Sequence, residues 1–337
     1  MSRPAHVVTL GETMGLIELE TSAPMTTSIG QSLRFGGAES NVAIGLSRLG
    51  VRCTWLSRLG DDALGEYVEG QLTSEGVVVR AARDPQAPTG LMLKEMNGGR
   101  PVRVRYYRSS SAASRLSVAD MAEAGNRAAI ETADVLHVSG ITAALGPGPA
   151  ATLARAIELA RASGTTVSFD VNHRASLWSD EQAAPALARL VAAADLVFAG
   201  QEEAALVLGT VAGEASFERA EELARELRSL GPATVVIKLG ALGALAVTGD
   251  AVHRAPTVPV DPIDPVGAGD AFVAGYLAEL VSGRQEVERL ATANRTGAEV
   301  CLERGDWEGL PTRATLAGPL RPPRAMAAAA GRAEVVR

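Results

Sequence analysis

Aromatic side chains are scarce in this sequence, which has five Phe, four Tyr and three Trp among 337 residues. A hydrophobic core must therefore be built mainly from Ala, Val and Leu. The two cysteines, Cys53 and Cys301, lie far apart and outside any metal-binding pattern, so we expect buried, reduced thiols in a cytoplasmic protein. No apolar run reaches the roughly 18 residues of a membrane span, and residues 1–10 lack the pattern of a secretory signal, so we expect neither.

Basic residues are fewer than acidic residues in this chain. The net charge is −7 at pH 7, from 32 basic and 39 acidic residues, which argues against an extended nucleic-acid footprint. Hydrophobic residues make up 47% of the chain and charged residues 21%, a balance typical of soluble globular proteins rather than disordered ones. The length suits two domains, or one large α/β domain with an addition.

From about residue 130, short β-branched runs alternate with longer helical stretches. The runs predicted as buried strands are residues 135–138, 166–169, 196–198 and 233–238. The predicted helices are residues 150–162, 181–193 and 214–230. Continuous apolar strands separated by helices build a parallel sheet covered on both faces. We therefore predict an α/β fold with a doubly wound, mostly parallel sheet flanked by helices.

The first third of the chain indicates a second, smaller sheet. Residues 90–96 and 102–108 flank an Asn-Gly pair, which is a strong signal for a β-hairpin. Arginines fall on both faces of the second of these strands, which makes it too polar for the middle of a core. We predict a small projecting sheet that serves as a lid, with strands from about 12–36 and 88–110. Because an exposed sheet edge pairs readily, we also expect a homo-oligomer formed through this sheet.

The sequence Asp-Pro-Val-Gly-Ala-Gly-Asp-Ala-Phe, residues 264–272, is the most informative stretch. An apolar helical run begins directly after its two glycines, and amide groups at such a helix start form an anion site of the kind that holds phosphate. Asp270 lies in the first turn, where it could cap the helix or accept the proton of an attacking hydroxyl, and spacing leaves both open. Phe272 stands where a dinucleotide-binding fingerprint has its third glycine, so the stretch is not such a fingerprint. No P-loop sequence occurs in the chain, which excludes that phosphate site too.

A second pair of glycines precedes another predicted helix. Gly36 and Gly37 are followed by Ala-Glu-Ser-Asn, which ends at Asn41. Backbone N–H groups and a side-chain amide in this arrangement suit a polyol. An ordinary turn from a loop into a helix accounts for the pattern equally well.

Taken together, these two stretches resemble the two signatures of the ribokinase-like (PfkB) carbohydrate kinases. Within that family the chain is most similar to the 2-keto-3-deoxygluconate kinases. The further similarity lies at residues 106–108, 170–174, 177–178, 236–240 and 304–306. The resemblance implies a ribokinase-like domain over residues 1–318, and the Ala-rich residues 319–337 are predicted to be a disordered tail.

The resemblance also implies a role for each motif residue. Asp270 would be the catalytic base, and Gly267, Ala268 and Gly269 would offer backbone N–H groups to the transferring phosphoryl group. The residues implied in sugar binding are Gly37, Asn41, Tyr106, Arg108, Arg174, Asp270 and Asp306. The residues implied in the ATP site are Asn172, Arg174, Lys238, Gly240, Gly243, Gly267, Gly269 and Asn294, the last near the adenosine.

The arginines among these residues suit an acidic substrate. A 2-keto acid carries a carboxylate, which a guanidinium group binds through two charge-assisted hydrogen bonds. Tyr106 and Arg108 lie two residues apart and share one strand face, so both could point into one site from the lid. Alternatively, Arg108 and Arg174 are solvated or structural.

Two positions depart from the family pattern. The family implies ATP and Mg²⁺ as cofactors, and Glu203 is the candidate for holding the ion, through water. Gly200 stands three residues earlier, where the family usually has Asn. Met92 occupies a position where these kinases often have a Tyr that touches the sugar. No residue decides whether a monovalent cation activates the protein.

We therefore expect an ATP-dependent kinase that phosphorylates the primary hydroxyl of 2-keto-3-deoxygluconate. Its partners would be this sugar acid and ATP, with no nucleic acid and no membrane. A fructokinase-like or other ketose kinase is the alternative within the family. The alternative of another class is a non-catalytic relative that senses nucleotide or sugar.

Overall fold

The computed structural model describes residues 3–21, 28–97 and 100–321. Its strands are β1 (His6–Leu10), β2 (Met14–Thr21), β3 (Ser28–Gly36), β4 (Arg52–Gly60), β5 (Val78–Asp84), β6 (Leu91–Asn97), β7 (Arg100–Tyr107), β8 (Val135–Ser139), β9 (Thr166–Asp170), β10 (Leu196–Gly200), β11 (Thr234–Lys238), β12 (Ala244–Thr248) and β13 (Ala251–Ala255). Its α-helices are α1 (Ala38–Arg48), α2 (Ala63–Ser74), α3 (Val118–Ala122), α4 (Ala124–Glu131), α5 (Gly140–Ala144), α6 (Pro147–Ser163), α7 (Asp180–Ala193), α8 (Gln201–Leu208), α9 (Phe217–Arg228), α10 (Ala268–Val281), α11 (Glu286–Val300) and α12 (Arg313–Ala317).

Within these ranges, nine strands form the central sheet, in the order β13-β12-β11-β10-β9-β8-β1-β4-β5. Every neighbouring pair from β11 to β5 is parallel, and β12 and β13 add an antiparallel edge. The strand order reverses between β1 and β8. At such a switch point the loops at the carboxyl ends of the strands separate and leave a crevice for a ligand.

Helices cover both faces of the central sheet. On one face α6, α7 and α9 bury Leu153, Leu187 and Leu223 in one apolar cluster. On the other face α1, α10 and α11 bury aliphatic residues such as Leu46 and Leu290 in a second cluster. The predicted doubly wound α/β architecture is confirmed, and Ala, Val and Leu dominate both clusters as the scarcity of aromatics requires.

A smaller four-stranded sheet has the order β3-β2-β6-β7. The predicted hairpin is present, with β6 and β7 antiparallel, while residues 98–99 of its turn lie outside the described ranges. The pairing of β2 with β6 is parallel. Strand β7 is an edge strand, and Val102, Tyr106 and Tyr107 on its two faces are exposed. The prediction of a second sheet is thus confirmed.

The end of the described chain is still held against the body. Arg321 donates from Nε to Glu299 at 2.7 Å. Most of the predicted tail, residues 322–337, lies outside the described ranges. None of the helices in the described part of the chain is long and apolar enough to cross a bilayer. Cys53 and Cys301 are buried and carry free thiols.

Candidate functional site

The crevice at the carboxyl ends of the central strands holds a buried ion pair. Asp170 ends β9 and Lys238 ends β11, and Nζ of Lys238 lies 2.8 Å from each carboxylate oxygen of Asp170. Burial alone would lower the pKa of Lys238, but the carboxylates of Asp170 and Glu203 outweigh burial and raise that pKa. Lys238 is therefore a permanent cation in the crevice.

Helix α10 begins at the edge of the same crevice. Gly267 has φ +78°, and a Cβ at this position would overlap the carbonyl oxygen of Asp306, so the turn requires glycine. The Ala268 amide donates to the Pro265 carbonyl at 3.3 Å. Within the described residues, the amides of Gly267 and Gly269 have no hydrogen-bond acceptor. These amides remain available to an anion at the positive end of the helix.

Asp270 lies in the first turn of α10, where a side-chain amide orients its carboxylate. Nδ2 of Asn41 donates to Oδ2 of Asp270 at 2.8 Å. Burial, together with the nearby carboxylate of Asp170, raises the pKa of Asp270 to about 6, although the hydrogen bond from Asn41 opposes this rise. A carboxylate with this pKa is ionised at neutral pH and basic enough to accept a proton from a reacting hydroxyl.

A cavity of about 960 Å³ opens beside Asp270. The predicted site residues that line it are Tyr106, Asn172, Arg174, Glu203, Lys238, Gly267, Gly269 and Asp270. In the described ranges, Asn172 is the only non-glycine residue with positive φ, at +40°, and it lies where the chain leaves β9. Arg174 is exposed, and its Nη1 donates to the carbonyl of His173 at 3.1 Å. One cavity thus combines the anion site with a base and an accessible guanidinium group.

A second cavity of about 440 Å³ adjoins the first at Lys238, Pro265 and Gly269. Its lining includes Gly240, Gly243 and Asn294, together with the apolar side chains Val260, Phe272 and Ala298. Nδ2 of Asn294 donates to the carbonyl oxygens of Ala255 and Pro256, at 2.9 and 3.3 Å. This cavity is mostly apolar and continuous with the anion site, which suits a flat base attached to phosphates.

Two further sugar candidates, Gly37 and Asp306, lie near the start of α1. Gly37 precedes the helix, and a Cβ there would overlap the carbonyl oxygen of Glu12, so the close approach requires glycine. The carboxylate of Asp306 lies against Gly36. Burial raises the pKa of Asp306 to about 7, with Glu308, Asp270 and Asp264 adding to the rise and Lys94 opposing it.

Arg108 is held differently from Arg174. Its Nε donates to Oε2 of Glu12 at 2.7 Å, and Ser111 binds the other oxygen of the same carboxylate. Arg108 is not among the residues that line the larger cavity, whereas Tyr106 is. The structure therefore brings Tyr106 and Arg174 together and places Arg108 in an ion pair with the buried Glu12. Met92 is buried in a small cluster with other apolar side chains of the smaller sheet.

Comparison with known proteins gives the family. The profile of the pfkB family of carbohydrate kinases matches residues 4–313. This chain belongs to that family. It is similar to the 2-dehydro-3-deoxygluconokinase of Bacillus subtilis, at 36% identity over 315 residues that span 92% of this chain and 94% of the relative.

Two further proteins support the assignment to the pfkB family. The 2-dehydro-3-deoxygalactonokinase of Haloferax volcanii is 34% identical over 303 residues, which cover 90% of this chain and 92% of the relative. A PfkB protein from Polaromonas sp. JS666 of known structure superposes with a TM-score of 0.82 at 34% identity, covering 94% of this chain and 100% of that one. The chain is thus a carbohydrate kinase with a ribokinase-like fold.

Sequence reasoning does not find several buried carboxylates of this pfkB kinase. The pairing of Asp170 with Lys238 depends on strands that are far apart in sequence. Glu39 is fully buried and accepts hydrogen bonds from Ser139 and Thr142, at 2.6 and 3.0 Å. Burial raises the pKa of Glu39 to about 7. The signal for Glu39 in the sequence is its place in the Ala-Glu-Ser-Asn motif that follows Gly36 and Gly37.

Proposed function

We propose that this kinase transfers the γ-phosphoryl group of ATP to the primary hydroxyl of 2-keto-3-deoxygluconate, the substrate also named 2-dehydro-3-deoxygluconate. The observation that carries the proposal is the ionisable Asp270, oriented by Asn41 beside the amides at the start of α10. The names of the similar kinases from Bacillus subtilis and Haloferax volcanii support a 2-keto-3-deoxy sugar acid as the substrate class.

In the proposed reaction, Asp270 accepts the proton of the primary hydroxyl as its oxygen attacks the γ-phosphorus. The bond between that phosphorus and the leaving oxygen of ADP breaks as the new one forms. Amides of Gly267 and Gly269, with Ala268 beside them, stabilise the negative charge on the phosphoryl oxygens. Lys238 adds a permanent positive charge, which Asp170 holds in place.

The adenosine of ATP would occupy the smaller cavity. Gly240, Gly243 and Asn294 line this cavity, and its apolar side chains can pack against a purine. Lys238 lies where the two cavities join, so the phosphates would extend from there toward α10. Asn172 lines the larger cavity and would contact the phosphates there.

We assign the acid end of the sugar to Arg174 and Tyr106, which line the larger cavity. Arg108 joins them in this proposal, with Glu12 orienting its guanidinium group, because one guanidinium has enough N–H groups for two carboxylates. Gly37, Asn41 and Asp306 would bind the hydroxyl groups. The backbone N–H of Gly37 and the side chains of Asn41 and Asp306 lie at the end of the smaller sheet nearest α10.

The residues present fit a Mg²⁺ ion that is held mainly by ATP phosphates and water. The described residues contain no cluster of three or more side chains suited to a metal ion. Glu203 lines the cavity, but its two oxygens already accept the Gly200 and His173 amides, at 2.7 and 2.9 Å. Glu203 would therefore hold the ion through water, and a bound ion would neutralise phosphate charge.

A substrate panel tests the proposal. ADP release is measured with 2-keto-3-deoxygluconate, 2-keto-3-deoxygalactonate, fructose and ribose, each at several concentrations. We expect the two keto acids to give kcat/KM values at least about 100-fold above those of the neutral sugars, since those lack the carboxylate. Preference for fructose would instead indicate a ketose kinase. No sugar-dependent ADP release with any substrate would favour a non-catalytic sensor.

A further inference from the structure

The chain uses lysine in only two places, Lys94 and Lys238, and its other basic residues that carry a permanent charge are arginines. Both lysines are largely shielded from solvent, and each pairs with a buried aspartate, Lys94 with Asp264 and Lys238 with Asp170. Lys238 belongs to the phosphate site already described. Lys94 has no role in the proposed reaction, so the reason for its burial must lie in its own contacts.

Lys94 lies on the inner face of the smaller sheet, in the middle of β6. Its neighbours on that face, Met92 and Met96, are buried apolar side chains. The Nζ of Lys94 lies 3.3 Å from Oδ2 of Asp264 and 3.7 Å from Oε1 of Glu18. A buried ammonium group among apolar neighbours is costly unless it is paired, so these two carboxylates fix its position.

Asp264 connects Lys94 to two segments of the reaction site. Its Oδ1 accepts the amide of Val266, in the turn that leads into α10, at 3.2 Å. Its Oδ2, which faces Lys94, is also 3.4 Å from the amide of Gly305, next to Asp306. One carboxylate therefore joins the smaller sheet, the glycine turn and the loop of residues 304–308.

A second ion pair joins the same sheet to the same loop. Arg34 of β3 donates from Nη1 to Oε1 of Glu308 at 2.9 Å and to the carbonyl of Arg304 at 3.1 Å. Glu18 lies between the two cations, with Oε2 3.3 Å from Nε of Arg34. The smaller sheet thus contacts the loop on both sides of Asp306, through the Asp264 contact with Gly305 and through the Arg34 contacts with Arg304 and Glu308.

We propose that Lys94 is a positioning residue for phosphoryl transfer, which fastens the smaller sheet to Asp264 and thereby holds the Val266–Gly267 turn in its productive geometry. This inference rests on the proposed function for its kinetic consequences. Its structural consequence, a turn that loosens when the ammonium group is removed, does not depend on any substrate.

The first experiment measures how well the backbone of the Val266–Gly267 turn is protected from hydrogen exchange. Hydrogen exchange of the peptide covering residues 264–270 is compared in the wild type, Lys94→Met and Arg105→Met. Met suits the neighbouring methionines of β6. Arg105 is the control because it is a half-exposed arginine of the same sheet that pairs with Glu95 and not with Asp264. We expect faster exchange in Lys94→Met only. Unchanged exchange in Lys94→Met would overturn the proposal, whether or not the protein phosphorylates a sugar.

The second experiment is a double-mutant cycle on turnover. Lys94→Met should lower kcat about 10- to 100-fold through misplacement of the reacting groups, with the KM for ATP within about twofold of wild type. Arg105→Met should leave both parameters unchanged. Because Lys94 acts through Asp264, the Lys94→Met/Asp264→Asn double variant should be no slower than the slower single variant. Multiplying effects would show that the two residues act independently and would contradict the proposal.

Discussion

At the scale of single residues, burial sets the chemistry of the carboxyl groups around α10. Asp270 has a pKa raised to about 6, and the amide of Asn41 limits that rise. Lys238 stays charged because Asp170 binds it through both oxygens. One cavity thus holds a base whose pKa is close to neutral pH and a cation in a fixed position. Phosphoryl transfer to a hydroxyl requires this combination.

Asn41 should control the acid limb of the pH profile. Asp270 must be ionised to act as a base, so kcat/KM should fall as the pH drops below about 6. Replacing Asn41 with Ala removes a hydrogen bond that lowers the pKa of Asp270, and the limb should move to higher pH. Ser40→Ala is the matched control, because Ser40 bonds the Gly37 carbonyl instead. An unmoved limb in Asn41→Ala would disprove this role.

Arg174 should distinguish acidic from neutral sugars. It lines the larger cavity and is exposed, so Arg174→Ala leaves no buried charge without a partner. We expect kcat/KM for the keto acid to fall about 10- to 100-fold, the cost of one charge-assisted contact, with little change for fructose. Equal losses for both sugars would indicate that Arg174 serves the nucleotide. Arg108→Ala is less informative, since it leaves the buried carboxylate of Glu12 without its cation.

At the scale of elements, the start of α10 combines a special backbone conformation with a tight contact. Gly267→Ala should reduce both thermal stability and turnover, because Cβ would strain a φ of +78° and overlap the Asp306 carbonyl. Gly283, at the other end of α10, has φ +70° and open space where a Cβ would lie. Gly283→Ala should therefore lose only the stability that an alanine at positive φ costs, with no steric overlap. If both variants lose turnover equally, the close contact between Gly267 and the Asp306 carbonyl is not needed for turnover.

Elements of both sheets can be predicted where their signals are local. Strands such as β8 to β11 are continuous apolar runs, and the Asn-Gly pair predicts the hairpin of β6 and β7. The Lys238–Asp170 and Lys94–Asp264 pairs cannot be found in this way, since each joins strands or loops whose proximity depends on sheet order. Likewise, the sequence predicts that Tyr106 and Arg108 share one face, but it does not predict that Arg108 pairs with Glu12, which lies between β1 and β2.

At the scale of the whole molecule, the smaller sheet ends in the exposed edge strand β7. Val102 is 66% exposed and Tyr107 58% exposed, on a strand that pairs with β6 on one side only. The homo-oligomer through this sheet remains a prediction. Light scattering should show an assembly larger than one chain, and Val102→Lys should shift it toward the monomer by charging the edge. A wild-type monomer would contradict it.

Single-turnover transfer by Asp270→Asn is the most direct test of the central claim. Asn keeps the shape of the side chain but cannot accept the hydroxyl proton. With ATP and 2-keto-3-deoxygluconate, we expect the rate of phosphoryl transfer to fall by at least about 100-fold, while ATP affinity stays within about twofold. Transfer at the wild-type rate would show that Asp270 is not the base and would contradict the account.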